Sequence, residues 1–389
     1  MTENLLIRGG MVARSDGMER VDVLCSGGRI AAIGANIEAP NATEVDATGC
    51  VVGPGFIDVH VHGGGGFSFF RPDLTAINNY AEWAPRNGLT SFLVSTVGND
   101  SETTTALFAA LTLSIRPGVG AEPLGFHMEG PFINPVRKGA FDPRMLRHPD
   151  PAEFLRHQAA ANGLIRQVTL APELPGALDL IREVAQSGAI PAMGHTDATV
   201  EEARAGFRAG ARHVTHLYNA MRPLHHREGG PSVAALLESA VTCEVISDGA
   251  HVDPDVLRMA YSILGPNRAV VVTDNLNIAG TEASTGRFAG MDVSVSGAKA
   301  VRSDGTIVGS VATIDQHFRN VVEWLRLDLP AAFKLCSLNP ARVAGATNRK
   351  GSLDAGKDAD LVILDVNLNV RTTICRGEIT FANQALAGP

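Results

Sequence analysis

GFIDVHVH, residues 55–62, is a near-continuous apolar run that closes on two histidines. Runs of that kind are the texture of strands buried on both faces of a parallel sheet. His60 and His62 stand two positions apart, so on a strand both side chains leave the same face. Their origins are then about 6–7 Å apart, close enough for two imidazoles to converge on one divalent ion. The plainer alternative is a pair of polar residues closing a strand ahead of the glycine run 63–66.

Seven further segments share this texture: TSFLVSTV (90–97), PLGFHMEG (123–130), IRQVTLAPE (165–173), AIPAMGH (189–195), RHVTHLYN (212–219), TCEVISDG (242–249) and RAVVVTDN (268–275). Helical patterns fit between most of them. Thr199 with Glu202 reads as a capping box, and Asp150–Pro151 and Asp253–Pro254 read as two more helix starts. Eight strand–helix units over about 290 residues favour an α/β fold of the closed (β/α)8 TIM type over an open doubly wound sheet. No GxGxxG or Walker-type loop follows a strand, which also disfavours the open sheet.

Both ends of the chain differ from this middle. LLIRGGMV, VDVLCSGGRIAAIG and TEVDATGCVV near the start, and GSLDAGKDADLVILD and NVRTTICRGEI near the end, are short strand-like runs broken by turns. A small β-sandwich domain assembled from residues 1–52 and 345–389, flanking a barrel over 53–344, is the simplest arrangement.

A formal charge of −8 argues against nucleic acid or an anionic membrane as the main partner, though not against a small anionic substrate in a locally basic pocket. Five scattered cysteines without a CxxC pair argue against a disulfide framework or a zinc ribbon. MTENLLIRGG lacks the apolar core of a signal peptide, and no run of 18 apolar residues occurs, so a soluble cytoplasmic protein is expected.

The strand ends of one face of a barrel converge on a single pocket, however far apart they lie in sequence. Glu129 follows the third strand in FHMEGPF, His195 ends the fifth in AMGH, and His216 sits in HVTHLYNAM. Each has an ordinary alternative, a capping glutamate or a core histidine, but imidazole and carboxylate at neighbouring strand ends are ligands for zinc, iron and similar ions. His127 and His213 read as supporting or packing residues. Asp274 ends the eighth strand in VVVTDN, where a carboxylate can take a proton from an attacking water and return it to a leaving group. Asn219, Arg222, His225, His226, Arg227 and His251 gather donors after the sixth and seventh strands, which suits a phosphate or carboxylate; the alternative is a solvated loop. No lysine occurs between Lys138 and Lys299, so a dinuclear site bridged by a carbamylated lysine at the fourth strand is disfavoured, and Glu129 is the natural bridge if two ions bind.

The stretches PGFIDVHVHG, HMEGPFINPVRKGA, LAPE, GHTDAT, THLYNAM, REGG, DGAHVD, VVTD and SDGTIVGS run from the first strand to beyond the eighth. Together they resemble the N-acetylglucosamine-6-phosphate deacetylases of the amidohydrolase superfamily. The terminal NPAR and GSLDAGKDADLVILD are common to much of that superfamily. The resemblance implies metal-dependent removal of the N-acetyl group from N-acetylglucosamine 6-phosphate, giving glucosamine 6-phosphate and acetate. Carried over by position, it implies that Glu129, His195 and His216 hold a metal, that His60 and His62 serve a second ion where one is present, and that Asp274 is the catalytic acid/base. It places Asn219, Ala220, Arg227 and His251 at the sugar phosphate and implies a homodimer, because a partner subunit completes that pocket in the family. The implied cofactor is one or two divalent ions, zinc first, with iron or manganese as alternatives.

One position departs from the family. Phe141 stands in RKGAFDP where the family usually has a histidine that hydrogen-bonds the acetamide carbonyl. Phenylalanine has no donor, so that role passes to a metal or a nearby histidine, or is absent. The departure leaves three alternatives open. One is an amidohydrolase acting on N-acetylgalactosamine 6-phosphate. Another acts on a non-phosphorylated N-acyl sugar or another small amide or lactone, and the third is an inactive sugar-phosphate sensor.

Overall fold

In the computed structural model, which describes residues 4–383, eight parallel strands pair in sequence order around one sheet. They are Phe56–Val61, Leu89–Val97, Glu122–Glu129, Ile165–Leu170, Ile190–Met193, His213–Val214, Thr242–Ile246 and Ala269–Val272. The ring is drawn shut between the last strand and the first: Asp274 N donates to His60 O at 2.8 Å, and His62 N donates to Asn275 O at 2.9 Å. The expected TIM-type barrel is therefore the observed one, and its closure sets Asp274 beside the histidine pair.

Helices between the strands start where side chains can satisfy their first amides. Thr199 accepts from Glu202 N at 3.3 Å while Glu202 Oε2 accepts from Thr199 N at 2.8 Å, completing the capping box of helix Val200–Ala209. Asp150 and Asp253 cap Pro151–Ala160 and Pro254–Leu264 by accepting from Ala152 N and Asp255 N, each with proline in the first turn.

Several strands stop short of their apolar runs, most of all the sixth, which spans two residues. Beyond them the backbone turns left-handed at His195 (φ 49°), His216 (φ 29°) and Asp274 (φ 53°). Residues with a Cβ rarely adopt that region, and they stay there only when surrounding contacts hold them. Those contacts are present: Asn134 N donates to His195 O at 2.9 Å, His216 N donates to Glu244 Oε2 at 2.9 Å, and Asp274 N is bound to the first strand.

The termini build two facing sheets. One orders Arg29–Gly34, Asp22–Ser26, Leu5–Arg8 and Thr43–Asp46; the other orders Glu378–Ala382, Val370–Cys375, Leu361–Leu364, Val51–Pro54, Met11–Arg14 and Gly17–Arg20. Leu5, Ile7, Val23 and Ile30 from the first meet Val12, Val52, Leu361 and Ile374 from the second in one buried cluster, so this is a sandwich. The two ends of the chain are joined where Val51–Pro54 pairs with Leu361–Leu364.

One element has no counterpart in the sequence reading. After the eighth strand, Thr285–Phe288, Met291–Ser296, Lys299–Val301 and Ile307–Ser310 form an antiparallel meander with its own small core of Leu276, Ile278, Phe288, Val293 and Ala300. The glycine run after the first strand reaches back to this side, with Gly65 N donating to Ala279 O at 2.9 Å and Gly66 N to Asn277 O at 2.7 Å. Glycine is required there because a Cβ on Gly65 would lie 2.5 Å from the Trp83 ring.

Candidate metal centre and its cavity

The five candidate ligands and the candidate acid/base Asp274, spread from the first strand to the eighth, meet at the C-terminal face of the barrel. Glu129 sits between them. Its Oε1 lies 3.1 Å from His195 Nε2, 3.2 Å from His216 Nε2 and 3.5 Å from His60 Nε2, while its Oε2 lies 3.2 Å from His62 Nε2. Asp274 Oδ1 lies 3.5 Å from His60 Nε2 and 3.4 Å from His62 Nε2. Two clusters result, His60–His62–Asp274 and Glu129–His195–His216, each with ligand atoms within 4.8 Å of one another.

The chemistry of these donors fits a divalent cation. His60 Nδ1 faces Glu244 Oε2 at 2.8 Å, His62 Nδ1 faces Ser95 O at 3.3 Å, and His195 Nδ1 faces Arg137 O at 2.9 Å. Each partner is an acceptor, so each Nδ1 carries the proton and each Nε2 presents a lone pair. Those lone pairs point at carboxylate oxygens, His195 Nε2 also lies 3.0 Å from His216 Nε2, and the buried His60 Nε2 has no hydrogen-bond partner. Acceptors converging on acceptors repel unless positive charge lies among them.

Protonation energetics point the same way. Burial lowers an imidazole's pKa, yet Glu244, Glu129 and Asp274 outweigh it and hold His60 well above its ordinary value. Burial likewise opposes charge on His62, but bonds to Asp274 and Glu129 bring it up to about 9. Burial would raise Glu129, and the surrounding His60, His195 and His216 instead hold it well below the usual carboxylate range. The cluster draws positive charge inward, and a bound metal displaces those protons.

Glu244 was not among the residues singled out in the sequence, although it organises the floor of the site. It is fully buried in the seventh strand. Its Oε2 faces His60 Nδ1 and accepts from His216 N, while its Oε1 accepts from Gln167 Nε2 at 2.7 Å and faces His213 Nε2 at 3.1 Å. A glutamate inside the apolar run TCEVI was the available signal, because carboxylates are rarely buried without partners. His127 lies in the same layer, its ring 4.5 Å from His60, between Ser95 Oγ at 3.0 Å and Thr169 Oγ1 at 2.8 Å. Burial and the neighbouring His60 lower its pKa well below the ordinary value, so it is neutral. His127 and His213 thus lie beneath the ligands.

Above the clusters opens a cavity of about 730 Å³, lined by His62, Glu129, His195, His216 and Asp274. Asn219, Ala220, His251 and Phe141 also line it. His251 is fixed by Asp248, whose Oδ2 lies 2.6 Å from its Nδ1 and whose Oδ1 accepts from its backbone N at 2.9 Å. Phe141 lays the edge of its ring against His195, with centroids 5.0 Å apart. Arg227 is placed differently: it is exposed in the turn after Arg222 and is not among the residues lining this cavity. Arg222 faces away as well, its Nη2 donating to Asp197 Oδ2 at 2.9 Å and its Nε to Asp197 O at 2.7 Å.

A closed barrel with two His and carboxylate clusters at its C-terminal mouth is the architecture of a metal-site hydrolase. The chain belongs to the amidohydrolase family, whose profile matches residues 51–380. Within that family it is 35% identical over 390 residues to the N-acetylglucosamine-6-phosphate deacetylase of Bacillus subtilis (strain 168), covering 99% of this chain and 96% of that protein. It is 34% identical over 340 residues to an N-acetylgalactosamine-6-phosphate deacetylase of Escherichia coli O157:H7, covering 87% and 89% of the two chains. Among solved structures it superposes with a TM-score of 0.92 on a mutant N-acetyl-D-glucosamine-6-phosphate deacetylase from Mycobacterium smegmatis in complex with N-acetyl-D-glucosamine-6-phosphate, at 34% identity over 98% of this chain and 100% of that one. No helix among the described residues is long and apolar enough to cross a membrane.

Proposed function

We propose that this chain hydrolyses the N-acetyl group of N-acetylglucosamine 6-phosphate, releasing acetate and glucosamine 6-phosphate. The observation that carries the reading is Glu129, placed between four imidazoles with Asp274 against two of them, under a cavity open to a small molecule. The relatives of similar length named for this reaction support the choice of substrate. His60, His62, Glu129, His195 and His216 would hold one or two divalent ions, zinc first and iron or manganese next, with Glu129 shared between the two clusters. Such an ion supplies Lewis-acid polarisation of the amide carbonyl and of the attacking water.

The remaining steps fall to the protein's own groups. Burial pushes the Asp274 carboxyl up, but His60 and His62 outweigh it and keep it below the ordinary carboxylate range, so it stands ready as a base. Asp274 takes the proton of the attacking water and returns it to the departing nitrogen, so that the C–N bond breaks to a neutral amine. Asn219, the backbone at Ala220 and the clamped His251 hold the sugar phosphate.

The phosphate end is completed in a cytoplasmic homodimer by Arg227 of the partner subunit. Supporting this is the exposure of Arg227 in its own chain, apart from the residues that line the cavity, which already include His251. Sedimentation of the purified protein and loss of phosphate preference in Arg227→Ala test that arrangement. The main assay is acetate release from metal-reconstituted protein given N-acetylglucosamine 6-phosphate; no release with zinc, iron or manganese refutes the reading.

A second reading takes N-acetylgalactosamine 6-phosphate as substrate. It is favoured by the 34% identity to a deacetylase of that sugar and by Phe141 against His195. Turnover on the two epimers, compared directly, distinguishes the readings.

A further inference from the structure

The cavity has two unlike halves, and the circular order of the barrel strands separates them. After the fifth, sixth and seventh strands come His195, His216, Asn219, the Ala220 turn and His251, all offering polar atoms. At or after the eighth, first, second and third strands, outside the cluster residues His62, Glu129 and Asp274 and the polar Asn99 and Asp142, come Phe288, Met291, Val308, Phe70, Val97 and Phe141. These strands are consecutive around the ring, because the eighth pairs back onto the first. Phe70, Val97, Phe288, Met291 and Val308 meet in one apolar wall, and Phe141 adds a separate apolar face where its ring lies against His195.

That wall touches the metal clusters. The Phe288 ring lies 5.4 Å from the His62 ring, and Phe70 lies 6.4 Å from Phe288. Val97, Met291 and Val308 pack onto the same small core as Phe288, which fixes their positions. Arg144 and Arg302 also border this half, but each guanidinium turns to a neighbouring acid, Asp142 Oδ2 at 2.6 Å and Asp304 Oδ2 at 3.4 Å. The Arg144 side chain is 81% exposed, so its charge lies at the rim rather than on the wall.

An amide held at the ligand clusters has two substituents that leave in opposite directions. On the deacetylase reading, on which this inference rests, the amine carries the sugar phosphate to the polar half. The acyl group then faces the apolar wall, which presents far more surface than one methyl group can cover. We infer that the wall formed by Phe70, Val97, Phe288, Met291 and Val308 is an acyl-binding surface that accepts straight-chain N-acyl groups longer than acetyl. The hydrolysis balances as before: water adds across the C–N bond, the fatty acid leaves with the hydroxyl oxygen, and the proton goes to the amine.

The test is a series of N-formyl, N-acetyl, N-propionyl and N-butyryl glucosamine 6-phosphates with the metal-loaded enzyme. The propionyl and butyryl compounds are expected to keep kcat/KM within about tenfold of acetyl, since each methylene seated on an apolar surface offsets its own size. A fall of a hundredfold or more at propionyl, with acetyl still cleaved, overturns the inference and leaves the deacetylase reading standing. Inertness of the whole series, acetyl included, overturns both.

Calorimetric titration with acetate, propionate and butyrate reads the wall without turnover. The carboxylate end is common to the three, so affinity should climb by up to about fourfold per methylene. A flat series contradicts the inference. Val308→Phe fills part of the wall and should lower the butyryl-to-acetyl ratio of kcat/KM at least tenfold; an unchanged ratio counts against it.

Discussion

Glu244 Oε2 lies 2.8 Å from His60 Nδ1 in a fully buried contact, and it is this bond that turns His60 Nε2 toward Glu129 and Asp274. A carboxylate behind an imidazole fixes the tautomer and raises the basicity of the ligating nitrogen. Glu244→Gln keeps the shape and removes the charge. Its affinity for zinc is expected to fall by about 10- to 100-fold, read by competition with a chromophoric chelator. Wild-type affinity would show that Glu244 only packs.

Asp274 faces both histidines of the first strand and is the group placed to move the proton. Asp274→Asn preserves volume and abolishes that transfer. Metal content measured after purification should persist, while kcat drops by about 10² to 10⁴. Near-normal turnover in this variant would move the acid/base role to another residue.

Lys350 is completely buried where the barrel meets the sandwich. Its Nζ lies 2.5 Å from Asp360 Oδ2, 2.9 Å from Glu122 Oε2 and 3.0 Å from Asp358 Oδ2. Glu122 opens the third barrel strand, whereas Asp358 and Asp360 precede the sandwich strand Leu361–Leu364, so one ammonium ties the two parts together. Lys350→Met strips a charge from among three buried carboxylates. Denaturant unfolding should show a loss of about 3–5 kcal/mol. Arg349 also pairs with Glu122 and with Asp358 Oδ2 at 2.6 Å, and Arg376 Nη1 lies 3.7 Å from Glu122 Oε2, so a loss below about 1 kcal/mol would mean that these two arginines neutralise the site by themselves.

Glu153 gives the fold an acid-sensitive joint. Burial raises its carboxyl, but His157 and Arg147 outweigh this and bring it down from 4.5 to about 2. Arg147 also donates to Asn99 O at 2.7 Å and Met145 O at 2.8 Å, so the joint braces a loop beside the cavity. A depressed carboxylate pKa stabilises the fold at pH above 4.5, and that contribution fades as pH falls from 4.5 towards 2. Glu153→Gln should be less stable than wild type at pH 6, and the gap should narrow by pH 3 in urea titrations. A gap independent of pH would exclude this linkage.

Much of the architecture could be read from patterns that are local in the chain. The barrel was legible because its strands are apolar runs of strand length, and burial on both faces leaves that mark on sequence. The helix starts at Asp150, Thr199 and Asp253 were legible because capping acts over two or three residues. The meander Thr285–Ser310 was not, because exposed positions interrupt its strands and its core is small. Glu244 escaped for a related reason. Its partners His60, Gln167, His213 and His216 lie between 28 and 184 residues away, and no local rule joins them.

Composition and periodicity committed this chain to a ring of parallel strands and supplied the imidazoles and carboxylates at their ends, since both follow from side-chain chemistry along the backbone. Which atoms face one another was settled by closure of the ring, the left-handed turns at His195, His216 and Asp274, and the burial of Glu244 beneath them. The same three-dimensional packing left Arg227 at the surface and divided the cavity into a polar and an apolar half. Distances of 3 Å between residues two hundred positions apart are a property of the folded chain, because only closure of the sheet brings those strand ends to one point.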